Sequence, residues 1–181
     1  MNNDAFTTIT TALKNGGIAV VRTDTIYGII ALANNERAVE KVYAAKHRDK
    51  MKQCIVLIAS SADVPLYADS IERYGVLSDM PTSVIVPASN EPAWLLRGGD
   101  SVAYRVVRDE FLNKVIAAVG PVIAPSANPE ALPPARTIEQ ARSYFGDLVD
   151  AYIDRGEVPE AIHPSRIIKV NEDGTITDIR S

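Results

Sequence analysis

Five short stretches of this chain gather side chains that can bind or do chemistry, and each lies beside a segment patterned for burial. Arg22-Thr23-Asp24-Thr25 places a guanidinium, two hydroxyls and a carboxylate directly after the apolar run Ile18-Ala19-Val20-Val21. Lys46, Arg48, Lys50 and Lys52 alternate through KHRDKMK, with Asp49 the only acid among them. Ser101 and Arg105 bound SVAYR, Ser126-Ala127-Asn128 follows a proline, and Ser165-Arg166 opens a late apolar segment. Arginine offers a planar fork for a carboxylate or phosphate. Serine, threonine and asparagine supply the directional bonds that separate one small polar ligand from another. Brought together, these groups would line a cavity for a ligand carrying phosphate, carboxylate and hydroxyls. A plainer reading stands beside each: Asp24 and the threonines can close a local turn, and cations suit a helix C-terminus.

The groups that are missing narrow the chemistry. His47 and His163 are the only histidines, and neither belongs to a zinc-binding spacing. No GxSxG elbow, GxGxxG or GxxxxGK[ST] occurs, so nucleophile-elbow, Rossmann and P-loop assignments all fail. Flanked by Lys46 and Arg48, His47 reads as a surface imidazole, and His163 before Pro164 as a loop residue. Cys54, the single cysteine, reads as a small buried hydrophobe and Trp94 as a cover for the core. An enzyme built from what remains would work by positioning and charge neutralisation, without a covalent intermediate.

Strands and helices alternate along the chain in a way that could hold such a cavity. Residues 4–14 pattern as an amphipathic helix closed by Asn15-Gly16-Gly17, followed by a strand over 18–22 and a buried run over 27–33. Asn34 or Asn35 caps a helix through ERAVEKVYAAKH, which delivers the basic segment at its C-terminal end. Further strands are predicted over 53–59, 83–87, 101–107, 121–124, 148–153, 166–170 and 175–179. Helices are predicted over 109–118 and, capped by Thr137, 137–145. Two shorter ones, over 62–67 and 70–77, would be capped by Ser60 or Ser61 and by Asp69. This is the pattern of an α/β domain around one twisted mixed sheet. At 181 residues, 46% of them apolar, one domain spanning 1–181 is expected.

A net charge of −4 argues against broad non-specific nucleic-acid binding, which needs a basic surface. No apolar run approaches the ~20 residues that span a bilayer. MNNDAFTTIT lacks the basic and apolar regions of a signal peptide, so no membrane partner and cytoplasmic residence are expected.

TDTIYGI, KHRDKMKQCIVLI, SVAYRVV, APSAN and HPSRII resemble, in order, the landmarks of the YrdC/Sua5 family of threonylcarbamoyl-AMP synthases. The family forms are roughly PTDTxYGL, KxRxxxKPL, x-G-x-R-x-P, SAN-x-SG and PSTI. The resemblance implies an open, twisted α/β sheet with a basic cavity. It implies a nucleotidyltransferase that makes threonylcarbamoyl-adenylate and pyrophosphate from threonine, bicarbonate and ATP, with Mg²⁺. Downstream tRNA threonylcarbamoyl transferase proteins would use the product to modify adenosine 37. Carried over by position, Thr25, Arg105, Ser126 and Ser165 would hold threonine. Lys46 and Arg48 would be the catalytic cations, with Arg48 and Lys52 facing the ATP phosphates. Ser101, Asn128, Arg136 and Arg180 would complete the nucleotide site, and Arg22-Thr23-Asp24-Thr25 would be both turn and pocket wall.

Several positions depart from the family pattern. Arg22 replaces the proline of PTDT, Gln53-Cys54 replaces Pro-Leu, Val107 replaces a proline, and Arg166 replaces the threonine of PSTI. Glu130-Ala131 stands where SAN-x-SG has Ser-Gly, in a loop expected to cover the nucleotide. The competing expectation is a non-catalytic YrdC-like protein whose cavity binds nucleotide, or weakly contacts RNA.

Overall fold

In the computed structural model, which describes residues 3–171 and 173–181, side-chain caps set the start of the long helices. Asn35 accepts the Ala38 amide at 3.1 Å ahead of α2 (Glu36–Lys46). Asp109 accepts that of Leu112 at 2.8 Å ahead of α5 (Glu110–Val119), and Thr137 that of Gln140 at 3.2 Å ahead of α6 (Ile138–Phe145). Each bond satisfies an amide that the first turn leaves without a partner. The remaining helices are α1 (Asn3–Lys14), α3 (Ala68–Ile71) and α4 (Ala93–Leu96).

The strands are β1 (Ala19–Arg22), β2 (Tyr27–Leu32), β3 (Val56–Ile58), β4 (Thr82–Pro87), β5 (Ser101–Val106), β6 (Val122–Ile123), β7 (Ala151–Ile153), β8 (Arg166–Val170) and β9 (Ile176–Arg180). They form one sheet in the order β7-β1-β2-β6-β3-β5-β4-β8-β9. Pairs β1·β7, β3·β5 and β4·β8 are parallel and the other five antiparallel, so the sheet is mixed, as expected.

Strand alternation splits the core into two layers. Val20, Tyr27, Ile29 and Ala31 face α2 and α6, packing with Val39, Val42, Ile138 and Phe145. Ala19, Val21 and Ile30 face the other way, against Ile9 and Leu13 of α1 and Leu112, Val115 and Ile116 of α5. Helices on both faces bury both sides of β1, β2 and β3, which is why these strands read as continuous apolar runs, whereas β9 at the sheet's edge is exposed throughout.

Differences from the sequence expectation are local. Residues 61–67 form two three-residue 3₁₀ turns, because Pro65 starts the second and cannot continue the first. Ser60 caps the first, with Asp63 reaching back to complete a capping box. Asp69 lies inside α3 and caps nothing; Tyr67 holds the cap position without a side-chain bond. The short helix α4 is additional, and Arg97 ends it in left-handed backbone at φ 49°. Gln53 is not part of β3. Its side-chain amide instead donates to the carbonyls of Leu96 and Ser101, at 2.7 and 2.8 Å.

Candidate functional site

The turn between β1 and β2 is tied by its own hydroxyls. Thr23 Oγ1 donates to the Ile26 carbonyl at 2.8 Å and accepts the Thr25 amide at 3.1 Å, and the two threonine hydroxyls lie 2.9 Å apart. Both threonines are buried. Past β6, the chain runs back along β2: the Pro125 carbonyl accepts the Ile29 amide and the Ala127 amide donates to Tyr27. Gly28 and Ser126 are thereby bridged. A Cβ on Gly28 would stand 3.3 Å from Thr23 Cγ2 and 3.4 Å from the Pro125 carbonyl oxygen, so a larger residue would press turn and strap apart.

From the other side, β5 brings Arg105, the approach to β8 brings Ser165, and the end of β9 brings Arg180. Thr25, Arg48, Arg105, Ser126, Ser165 and Arg180 all line one cavity of about 220 Å³. Among the described residues, three guanidiniums and no carboxylate stand on its wall, which makes it cationic.

Arg105 is the most deeply set of these cations, 5% exposed, with one Nη 3.0 Å from Asp24 Oδ1. Burial pulls its pKa down, Asp24 pushes it back up, and Arg180 adds to the fall. Its Nε is buried and has no hydrogen-bond partner among the described residues. An arginine held this way is short of one hydrogen-bond acceptor. Ser165 is buried with its hydroxyl 3.0 Å from Ser83 Oγ, and its carbonyl accepts Nε and Nη2 of Arg180 at 2.9 and 2.7 Å. Arg48 reaches the Gln53 carbonyl at 2.8 Å and leans over the Tyr43 ring.

The other expected residues are placed around the cavity and not on its wall. Lys46 is 2% exposed, and its ammonium donates to the carbonyls of Ser126 and Asn128. Burial, reinforced by Arg48, lowers its pKa to about 8. Lys46 thus braces the strap carrying Ser126. Lys52 is exposed and paired with Glu130. Ser101 begins β5 and gives its carbonyl to Gln53. Asn128 Nδ2 donates within its loop to Pro129 and Leu132, while its Oδ1 is buried without a partner. Arg136 Nη2 donates to the Val158 carbonyl at 2.5 Å.

Gln53 and Cys54 line the cavity although sequence reasoning gave neither a place in the site. Cys54 is buried, as expected, with its thiol 3.3 Å from the Tyr43 hydroxyl and its pKa raised mainly by burial. The signal that could have found them is their position, directly after the basic segment. His47 and His163 are exposed. Trp94 packs against the core and donates to the Ala33 carbonyl.

A family model for Sua5, YciO and YrdC, described as "Telomere recombination", matches residues 11–181. The chain belongs to this family. Among its relatives are threonylcarbamoyl-AMP synthases of Idiomarina loihiensis and Halorhodospira halophila. The first is 34% identical over 166 residues, covering 87% of this chain and 88% of the relative. The second is 30% identical over 148 residues, covering 78% of each. The fold matches P. abyssi Sua5 complexed with L-threonine at a TM-score of 0.85 and 25% identity, over 97% of this chain. This chain spans only 53% of that longer protein. E. coli YciO shares the fold at a TM-score of 0.83 and 16% identity, over 99% of this chain and 90% of YciO.

Within the Sua5/YciO/YrdC pattern, the Ser-Gly substitution has a structural outcome. Glu130 pairs with Lys52, and Ala131 keeps a positive φ of 72°, a region that glycine enters freely and alanine does not.

Proposed function

We propose that this chain is a threonylcarbamoyl-AMP synthase, joining threonine, bicarbonate or CO₂ and ATP into threonylcarbamoyl-adenylate with release of pyrophosphate. The carrying observation is the meeting of Thr25, Arg105, Ser126 and Ser165 around one cationic hollow beside Arg48. At about 220 Å³ the hollow is smaller than the ~300–1,000 Å³ of pockets that engulf a larger ligand. It suits an amino acid in full, leaving the triphosphate to extend toward Arg48 and Lys52 at the rim.

In this reading Arg105 receives the threonine carboxylate, its partnerless Nε gaining the acceptor it lacks. The hydroxyls of Thr25, Ser126 and Ser165 hold the amine and the side-chain hydroxyl. The amine attacks CO₂ to form a carbamate, losing a proton, and a carbamate oxygen then attacks the α-phosphorus as pyrophosphate leaves. Negative charge grows on the phosphate oxygens, and Arg48 and Lys52 offset it. Lys46 acts at one remove, by fixing the Ser126 strap. Enclosure protects a carbamate that bulk water would destroy.

Among the described residues no cluster of His, Cys, Asp or Glu is placed to hold a metal. Mg²⁺ would enter with ATP, held chiefly by the substrate's phosphates and by water, and the chain's own part in the reaction is that of its cations. The product would pass to a tRNA threonylcarbamoyl transferase. Among the described residues no helix is long and apolar enough to cross a membrane.

The test is pyrophosphate release from ATP and bicarbonate, with and without threonine. Threonine-dependent release is expected. Release indifferent to threonine, or none, would remove the proposal.

A further inference from the structure

Glu130 sits as a bound anion sits. Its Oε2 accepts the Asp49 amide at 2.8 Å, and its Oε1 meets the Lys52 ammonium. Its own amide donates to the Lys46 carbonyl at 2.8 Å, which fixes the neighbouring backbone to the end of α2. A main-chain N–H beside an ammonium is a pair of donors that a phosphate oxygen would equally take. These donors hold the carboxyl below its ordinary range, Lys52 and the Asp49 amide first, with Arg48 adding its charge. The strap that carries Glu130 starts at Ser126 and runs to Pro134, both on the cavity wall, and the segment it clips to contains Arg48, also on that wall. The clip therefore joins two sides of the cavity's rim.

We propose that Glu130 is an internal competitor for the polyphosphate: its carboxylate fills the seat that a phosphate oxygen of ATP or pyrophosphate would take. Polyphosphate binding must then displace it and unclip Glu130, on the 126–134 strap, from Lys52. The proposal rests on the synthase reading for the identity of the polyphosphate, but not for the existence of the seat. It makes Glu130 a determinant of nucleotide affinity and of pyrophosphate release, and gives it no part in holding threonine. Substitution by glutamine removes the charge while keeping a side chain that can still reach the Asp49 amide.

Calorimetry with inorganic pyrophosphate, with a non-hydrolysable ATP analogue and with threonine tests this on wild type, Glu130→Gln and Glu130→Ser. Both variants should bind pyrophosphate and the analogue at least about threefold more tightly, the scale of a rim-exposed ion pair. Threonine affinity should not move. Adding Lys52→Ala to Glu130→Gln should cancel the gain, because the seat then lacks its ammonium. Unchanged or weaker pyrophosphate binding in both single variants, with melting temperatures matching wild type, would overturn the proposal. So would a gain that survives Lys52→Ala. Tighter pyrophosphate binding in a protein without threonine-dependent turnover would support the seat while removing the synthase reading, so the two failures are distinguishable.

Discussion

Asp24 and Arg105 form an ion pair at 3.0 Å in which the side chains are 5% and 6% exposed. One belongs to the turn after β1 and the other to β5, so the pair ties two walls of the cavity together. A buried pair of this kind adds little net stability over an apolar substitute, yet losing one partner strands the other charge. Its effect on the site is orientation: Asp24 holds one Nη of the guanidinium, while the buried Nε has no hydrogen-bond partner among the described residues.

Arg105→Ala should therefore have two separable effects. Threonine affinity should fall by ~2–4 kcal/mol, as when a buried charge pair loses one side. Unfolding free energy should fall by ~3–5 kcal/mol because Asp24 is left buried and unpaired. Adding Asp24→Asn should recover much of the stability in urea unfolding and none of the threonine binding in calorimetry. A double variant that binds threonine like wild type would show that Arg105 serves the fold alone.

Lys46 predicts a pH dependence with a defined sign. Its folded pKa is lowered to about 8, mainly by burial, whereas an exposed lysine titrates near ~10.4. Below about 8 both states carry the proton and the burial penalty is fully present. Between the two values the unfolded chain holds a proton that the folded chain has released, so this group's contribution to stability rises with pH. Wild type compared with Lys46→Met should gain on the order of 3 kcal/mol between about pH 7.5 and about pH 10.5. A difference that stays flat, or falls, would show that the ammonium keeps its proton through its two carbonyl bonds.

Ala131 predicts a stabilising substitution. Its φ of 72° costs an L-residue ~1–2 kcal/mol, and glycine's greater freedom in the unfolded chain offsets ~0.4–1 kcal/mol of the relief. Ala131→Gly should raise the unfolding free energy by about 0.5–1 kcal/mol in denaturant titrations. A loss of stability would mean that the alanine methyl packs well enough to outweigh the strain.

Most of the fold was legible because the signals are local. Thr137 and Asn35, the second of two candidates, cap helices where the pattern indicates, and Asp109 caps the helix that was expected to include it, since a cap is a bond between a side chain and an amide a few residues on. The alternation in β1 and β2 sorts their side chains to two faces whatever lies beyond them. Less legible were residues 61–77 and 92–97, where 3₁₀, α and π turns compete over spans too short for periodicity to separate.

For the site, the residue types in order along the chain marked the segments of Thr25, Arg48, Arg105, Ser126 and Ser165, and the family resemblance added Arg180; all six share a hollow. What they could not mark is the depth and company of each charge. Lys46 and Lys52 belong to one basic segment, yet one ammonium is buried on two carbonyls and the other lies exposed against Glu130. Pattern specifies which residues the backbone delivers to a strand end, because hydrogen-bond geometry repeats along the chain. Whether a delivered charge meets solvent, a carbonyl or an opposite charge depends on segments remote in the chain, and only the packed structure decides it.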